Sequence, residues 1–196
     1  MLLPFSLRAR AWEPHGIALR KRLNLSTHHL LDPFKLAPLI GLRLLDLDDE
    51  CAGLPKAFRQ QLLVHGKRQW SGGVYAQPLP DGSRICILNS RHDPRRIKIT
   101  LMEEVAHIYL KHPPTGLIRS MDGLRMRGYD KKQEQEAYGV GAAALLPWAA
   151  IFPAVNRGMA IDELAEQFEV SSQLVDYRIK ITGAHTLYKA RQRSLT

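Results

Sequence analysis

Residues 93–107 read Asp-Pro-Arg-Arg-Ile-Lys-Ile-Thr-Leu-Met-Glu-Glu-Val-Ala-His, and this stretch decides the fold of the chain. Asp93 suits a helix N-cap and Pro94 suits the first helical position, so a helix is predicted to begin here. Apolar side chains recur through the stretch at helical spacing, at Ile97, Leu101, Val105 and Ile108. Because residues four apart lie on one face of a helix, the side chains of Glu103 and His107 are predicted to converge.

The five residues from Glu103 to His107 match a zinc-metallopeptidase helix motif, His-Glu-x-x-His, with glutamate in place of the first histidine. In the intact motif two imidazoles bind zinc, and the glutamate between them acts as general base toward water. Glu104 is therefore the candidate catalytic base, and Glu103 and His107 are candidate metal ligands. Glutamate binds zinc through oxygen, although it adds a negative charge. An amphipathic helix with a solvated acidic face would explain the same residues, and this alternative stays open.

Length and composition limit the class of protein. At 196 residues the chain can bury one substantial core with a small appended module. Two cysteines, Cys51 and Cys86, are too few for a disulfide framework and favour reduced thiols, so a cytoplasmic location is expected. No apolar run approaches about 18 residues, and the first charges follow a very short apolar stretch, so secretion and membrane spanning are not expected.

The net charge of +9 predicts attraction to polyanions or to an acidic protein surface. The basic residues are spread along the chain, which is more typical of a solvated surface than of a docking stripe. DNA binding is therefore considered but not favoured.

Other segments predict an α+β domain around the motif helix. Apolar spacing within residues 12–45 favours a pair of short helices. Residues 70–77 and 84–88 suit two strands of a hairpin, joined by turn residues that end at Gly82. After a loop at 115–130, a second helix is predicted from Lys132 to Leu146. Its small residues suggest the close approach of another element, for which the motif helix is the expected partner, although loose packing is the alternative.

Taken together, these segments resemble the ImmA/IrrE family of metallopeptidases, which are gluzincin-like. The resemblance runs from about residue 15 to residue 185. It rests on the following segments: Ile87-Leu88-Asn89, Arg95-Arg96, the stretch from Leu101 to His107, Leu110-Lys111-His112, and Glu134-Gln135-Glu136-Ala137 leading to Leu145-Leu146-Pro147.

The resemblance implies a small α+β, gluzincin-like domain with a short sheet, a motif helix and a glutamate helix. It assigns the third metal ligand to Glu134, with Glu136 as the fallback. It also implies a metal-dependent endopeptidase that acts on a regulatory protein, such as a helix-turn-helix repressor. We expect a metallopeptidase domain at 1–155 and a helix-turn-helix-like segment at 156–196.

The glutamate at position 103 leaves two interpretations of the site open. Two carboxylates about 4 Å apart repel by about 4 kcal/mol at an effective dielectric of 20, so the cluster needs a cation, a shared proton or a basic neighbour. A divalent metal would satisfy it, and a carboxylate-rich site admits Mn²⁺ or Fe²⁺ beside Zn²⁺. Alternatively, Glu103 pairs with an arginine and the chain is a catalytically degenerate binding module. His112 lies off the face of Glu103 and His107, so a structural role is favoured over that of a reserve ligand.

Residues 161–179 follow a helix-turn-helix pattern, with packing positions at Leu164, Ala165, Phe168, Val170 and Val175. Glu169 occupies the turn position where glycine is usual. The second helix carries Asp176 and few side chains suited to reading bases. Packing against the rest of the protein is therefore favoured over DNA binding for this segment.

Overall fold

The structure is a computed structural model that describes residues 3–47, 71–75, 77–113, 117–119, 125–127 and 130–194. Cys51, the first residue of the strand predicted at 70–77 and parts of the loop predicted at 115–130 lie outside these ranges. The chain forms two compact units, one of Pro33–Gln135 and the other of Met1–Asp32 with Glu136–Thr196. The division expected at residue 156 stays a prediction.

The unit Pro33–Gln135 contains a small mixed sheet. Its elements are helix α2 at Pro33–Leu36, a 3₁₀ turn at Ala37–Ile40, and the strands β1 at Leu42–Asp46, β2 at Gly72–Val74 and β3 at Arg84–Leu88. The sheet order is β1-β3-β2. Strand β1 pairs with β3 in parallel and β2 pairs with β3 antiparallel.

The predicted hairpin is confirmed, since β2 and β3 pair with Gly72 opposite Leu88. The turn between them depends on Gly82, whose φ of 82° is left-handed, and the amide of this residue donates to the carbonyl of Leu79 at 2.8 Å. Strand β1 was not predicted, because its apolar residues were assigned to a helix pair. A second, antiparallel hairpin of β4, Leu117–Arg119, and β5, Arg125–Arg127, occupies part of the predicted loop.

The motif helix α3 spans Pro94–Tyr109, and its predicted start is confirmed. The side chain of Asp93 accepts a hydrogen bond from the amide of Arg95 at 2.8 Å, which satisfies one of the unbonded amides of the first turn. Leu101 and Val105 are fully buried and anchor the helix. After the helix, Lys111 adopts a left-handed φ of 56°, which turns the chain sharply before Pro113.

The second unit is helical, and its elements are α1 at Leu7–Lys21, most of α4 at Lys131–Leu145, α5 at Trp148–Asn156, α6 at Ile161–Gln167, α7 at Ser172–Ile181 and α8 at His185–Arg193. Helix α4 agrees with the helix predicted from Lys132 to Leu146. A Cβ on Gly139 would lie 2.2 Å from Cε3 of Trp12, and one on Gly16 would lie 2.7 Å from the carbonyl carbon of Ala143. Helix α1 therefore approaches the small residues of α4, for which the motif helix had been the expected partner.

Helices α6 and α7 form the predicted helix pair, and all five expected packing residues are buried. Glu169 adopts a left-handed φ of 48° in the turn between them, at the position where glycine is usual. Arg178 of α7 is fully buried, where it forms an ion pair with Glu13 and donates to the carbonyl of Leu146 at 2.9 Å. This arginine therefore stabilises the packing of α7 within its unit.

The small mixed sheet and the helices confirm the α+β class. Within the described ranges, no single helix is long and apolar enough to cross a membrane.

Candidate active site

Helix α3 presents Glu103, Glu104 and His107 in the unit Pro33–Gln135. His107 is only 2% exposed, whereas the two glutamates are partly buried. Val105 and Ala106 lie between them in sequence and are fully buried, so the helix cannot rotate about its axis without exposing apolar surface. Burial of this helix therefore fixes the direction in which the three polar side chains point.

Glu134 reaches the same site from the first turn of α4. Its Oε2 lies 3.3 Å from Nε2 of His107. The start of α4 is fixed by Asp130, whose side chain accepts hydrogen bonds from the amides of Lys132 at 3.0 Å and Gln133 at 2.9 Å. The structure thus brings His107 and Glu134 into contact, whereas Glu136, the fallback, belongs to the other compact unit.

His112 contacts the opposite side of the His107 ring. The two Nδ1 atoms lie 2.9 Å apart, and the rings meet edge to face with centroids 5.0 Å apart. The backbone holds this arrangement, because the amide of His112 donates to the carbonyl of His107 at 3.0 Å after the left-handed turn at Lys111. The helical spacing argument missed this contact because His112 lies beyond the helix end, where that spacing no longer applies.

Glu103 lies in an environment that favours its protonated form. Burial raises its pKa to about 8, and the charges of Glu104 and Glu134 contribute to the shift. None of the interactions that set this pKa is with a cation among the described side chains. The arginine partner considered in the sequence analysis is therefore not found in the described part of the chain.

The charge of Glu104 also affects the pKa of Cys86, a residue of the sheet. Burial raises the pKa of the Cys86 thiol well above its ordinary value, and the charge of Glu104 adds to the effect. Cys86 is a free cysteine on β3. The thiol is therefore protonated at neutral pH and provides a neutral, weakly polar neighbour for the Glu104 carboxylate.

The donor set suits a divalent cation in its chemistry but is not closed around one. The predicted ligands, two carboxylates and an imidazole, make a hard, anionic set, and the pKa of Glu103 is raised first by burial and then by the charges of Glu104 and Glu134, which a cation would offset. His107 and Glu134 are already in contact. Among the described residues, however, no group of three or more His, Cys, Asp or Glu side chains is arranged to hold a metal ion. Glu103 is the predicted ligand that does not join the contact pair.

Comparison with known proteins gives a family for this chain. A search of curated proteins finds no match. The family model described as the IrrE N-terminal-like domain, Peptidase M78, matches residues 63–180, which is more than half of the chain. The matched range includes the residues of α3 and Glu134. The chain therefore belongs to the IrrE N-terminal-like family of peptidases.

Proposed function

We propose that this protein is a metal-dependent endopeptidase with a variant, carboxylate-rich site. Membership of the family supports a metallopeptidase-type function. The observation that carries the proposal for this chain is the 3.3 Å contact between Nε2 of His107 and Oε2 of Glu134, which joins two of the three predicted ligands. The third, Glu103, is close enough to Glu134 for the charge of that carboxylate to raise its pKa.

In this proposal Glu103, His107 and Glu134 hold the cation, which supplies Lewis-acid polarisation of the scissile carbonyl. Zn²⁺ is the first candidate, and the oxygen-rich donor set also suits Mn²⁺ or Fe²⁺. The proposed site has two carboxylates and one imidazole as ligands, whereas the intact motif gives one carboxylate and two imidazoles. The proposed ligands therefore donate more negative charge to the cation. We therefore expect slower peptide hydrolysis than at a site with the intact motif.

Glu104 is the proposed general base. It directly follows Glu103 on α3 and shares its partly buried environment. A carboxylate there can take a proton from the attacking water and later return it to the leaving amine. The Cys86 thiol, whose pKa is raised by burial and by the charge of Glu104, is protonated at neutral pH and does not compete with Glu104 for this proton.

The proposed substrate is a cytoplasmic regulatory protein, such as a helix-turn-helix repressor. This part of the proposal follows from the family resemblance and from the net charge of +9, which favours an acidic protein surface. Among the described strands, β1 and β2 lie at the two edges of the three-stranded sheet, and an edge strand is where an extended segment of a partner can pair.

Metal binding and cleavage test the proposal together. Protein stripped with a chelator is reloaded with Zn²⁺, Mn²⁺ or Fe²⁺, its melting temperature is measured, and cleavage of a repressor-type protein is followed. We expect one of the ions to raise the melting temperature and restore cleavage, and Glu104→Gln to abolish cleavage while still binding the ion. Glu163→Gln, an exposed change on α6, is the matched control. Failure of all three ions to bind would overturn the proposal, and unchanged cleavage by Glu104→Gln would overturn the assigned base.

A catalytically degenerate binding module is the second candidate. One observation favours it: among the described residues, no group of three or more His, Cys, Asp or Glu side chains is arranged to hold a metal ion. Such a protein would bind the same regulatory partner with or without the chelator, and Glu104→Gln would leave binding unchanged.

DNA binding through α7 has less support, because Arg178 is buried in an ion pair with Glu13. Binding to random-sequence DNA across a salt series tests this role, since DNA contacts weaken steeply with salt.

A further inference from the structure

We propose that the helical unit contains a binding site for a small amphipathic carboxylate, in a cavity beside α1. The cavity has a volume of about 310 Å³, which is at the lower end of the range for small-molecule sites. Every residue that lines it belongs to the unit of Met1–Asp32 with Glu136–Thr196, whereas the metal ligands proposed above belong to the other unit. This inference therefore does not depend on the proposed peptidase function.

The walls of the cavity are largely apolar. Three segments supply them: Leu3 and Pro4 before α1, Ile17 and Ala18 on α1, and Trp148 and Ala149 at the start of α5. Leu3 is 58% exposed, and Ile17 and Ala18 are partly exposed, so water reaches part of this apolar surface. A hydrocarbon chain lying in the cavity would remove that surface from water, which is favourable.

The charged side chains of the cavity favour an anion. Arg10 and Lys21 line it, and neither forms an ion pair with another residue in the described part of the chain. Glu13 also lines it, but its carboxylate pairs with Arg178 and accepts a hydrogen bond from the amide of Trp148 at 3.0 Å. The negative charge of Glu13 is thus already compensated, and the two cations give the cavity a positive balance.

Arg10 is the expected partner of the carboxylate. Its Nε donates to the carbonyl of Pro4 at 2.7 Å, which fixes the direction of the side chain. The two terminal nitrogens remain to donate to a carboxylate, whose geometry suits the planar guanidinium. Lys21 lies about 16 Å further along the axis of α1, at the helical rise of 1.5 Å per residue. One carboxylate therefore pairs with Arg10, while Lys21 adds to the positive potential at the far end.

Trp148 gives a second, independent indication of a ligand. The residue is only 3% exposed and lines the cavity, yet Nε1 has no hydrogen-bond partner among the described residues. Buried polar groups are generally paired, because a buried donor without an acceptor is destabilising. A ligand oxygen beside the indole would supply the missing acceptor.

The two indications lie at the same end of the cavity. Arg10 and Glu13 are neighbours at i and i+3 on α1, and Glu13 binds the amide of Trp148. The polar head of a ligand is therefore placed near Arg10 and Trp148. Its hydrocarbon chain then lies along Ile17 and Ala18 toward Lys21, which is the arrangement that a straight-chain carboxylate fits.

Three probes with the same hydrocarbon chain test the class of ligand: decanoate, decanol and decyltrimethylammonium. Isothermal titration calorimetry of the full chain, with each probe below the concentration at which it aggregates, measures their affinities. We expect decanoate to bind most tightly and decyltrimethylammonium most weakly. Equal affinities for decanoate and decanol would overturn the recognition of an anion. Failure of decanoate to bind would overturn the site, and would leave the peptidase proposal untouched because no metal takes part.

Arg10→Gln tests the head-group contact. Because Arg10 is exposed, the variant should fold like the wild type, which circular dichroism checks. We expect it to weaken decanoate binding by roughly two- to fivefold, the range for a partly exposed charge pair, and to leave decanol binding unchanged. Arg22→Gln removes an exposed charge just after α1 that does not line the cavity, so it is the matched control. Equal affinities of Arg10→Gln and Arg22→Gln for decanoate would overturn the role of Arg10.

Ala18→Leu tests whether the cavity itself holds the chain. The larger side chain occupies the cavity, so we expect decanoate and decanol both to bind roughly tenfold more weakly or worse. Ala11→Leu makes the same change at an exposed position of α1 outside the cavity, and should bind both probes like the wild type. If Ala18→Leu and Ala11→Leu bound decanoate equally well, the probe would lie elsewhere on the protein and the proposed site would be wrong.

Discussion

Nε2 of His107 lies 3.3 Å from Oε2 of Glu134, although the two residues are on different helices and are far apart in sequence. Each is held by its own helix: buried neighbours fix the face of α3, and the Asp130 cap fixes the first turn of α4. The positions of His107 and Glu134 are therefore fixed independently, each by the contacts of its own helix. The contact makes Glu134, among the acidic residues of α4, the one whose loss most directly affects the site.

Glu134→Gln should weaken metal binding far more than Glu136→Gln. The first change removes the carboxylate that contacts His107, whereas the second alters a neighbouring residue of the same helix that lies in the other compact unit. We expect the loss for Glu134→Gln to exceed the roughly 10- to 100-fold that outer-shell changes cause. Titration of chelator-treated protein with Zn²⁺ measures both. A larger loss for Glu136→Gln would exchange the roles of the two glutamates.

The stability of the metal-free protein should fall as the pH rises from about 4.5 to about 8. The folded state keeps Glu103 protonated to a pKa of about 8, whereas the unfolded chain loses that proton near 4.5. The folded state therefore binds more protons in this window, and the free energy of unfolding decreases with pH. The contribution is fully present below 4.5 and is lost once the pH passes 8. Each pKa unit corresponds to about 1.4 kcal/mol, so the change amounts to a few kcal/mol at most.

Glu103→Gln provides the control for that pH dependence, because glutamine is neutral at every pH and similar in size. Urea unfolding of the metal-free variant should give a flatter profile between pH 5 and 8 than that of the wild type. Parallel profiles for the two proteins would mean that another group causes the change. Glu103→Gln should also bind Zn²⁺ more weakly at high pH, where the wild type has an ionised carboxylate to offer.

Glu103→His should create a tighter and faster site. Imidazole is a neutral ligand, so the variant removes the carboxylate whose pKa is raised by burial and by the charges of Glu104 and Glu134, and it completes the His-Glu-x-x-His motif. We expect higher zinc affinity and a higher kcat for peptide cleavage at pH 7, in assays beside the wild type. Tighter zinc binding without faster cleavage would show that the zinc affinity and the kcat are determined by different properties of the site.

The sequence was sufficient to predict α3 and α4 because their signals are local. For α3 they are the capping Asp93, Pro94 at the first helical position and regular apolar spacing, and for α4 they are the small residues that lead to Leu145-Leu146-Pro147. The β2–β3 hairpin was predicted for the same reason. Strand β1 was missed because Leu42, Leu44 and Leu45 are equally compatible with a helix, and only parallel pairing with β3 makes them a strand.

Contacts between segments distant in sequence limited the prediction of the site. The 2.9 Å contact between His112 and His107 depends on the left-handed conformation of Lys111, which no residue type there announces. The raised pKa of Glu103 likewise depends on the burial of this residue in the folded protein and on the charge of Glu134, which belongs to another helix. The sequence was therefore sufficient to predict which residues belong to the site, whereas the pKa of Glu103 depends on the tertiary structure.

Gly139→Ala should destabilise the helical unit by about 1–3 kcal/mol, the usual cost of overpacking. The added methyl group would lie 2.2 Å from Cε3 of Trp12, so the buried indole or the helix backbone would have to shift. Alanine is the better helix former, so propensity alone predicts the opposite sign. Lys132→Ala, an exposed change on the same helix, serves as the control. Urea unfolding measures both, and a more stable Gly139→Ala would show that Trp12 moves freely.

Arg178→Met should destabilise the protein by about 3–5 kcal/mol, because it leaves the buried carboxylate of Glu13 without its charged partner. Arg178 also donates to the carbonyl of Leu146, and Glu13 accepts from the amide of Trp148 at 3.0 Å, so the ion pair ties α1 and α7 to the segment between α4 and α5. Lys180→Met, which removes the exposed ion pair with Asp176 on the same helix, should leave the urea midpoint almost unchanged. Added salt should not reproduce the Arg178 effect, because the buried pair is poorly screened. If Arg178→Met kept the wild-type midpoint but lost binding to DNA, Arg178 would have to leave its buried position, and the role of α7 would be recognition of DNA.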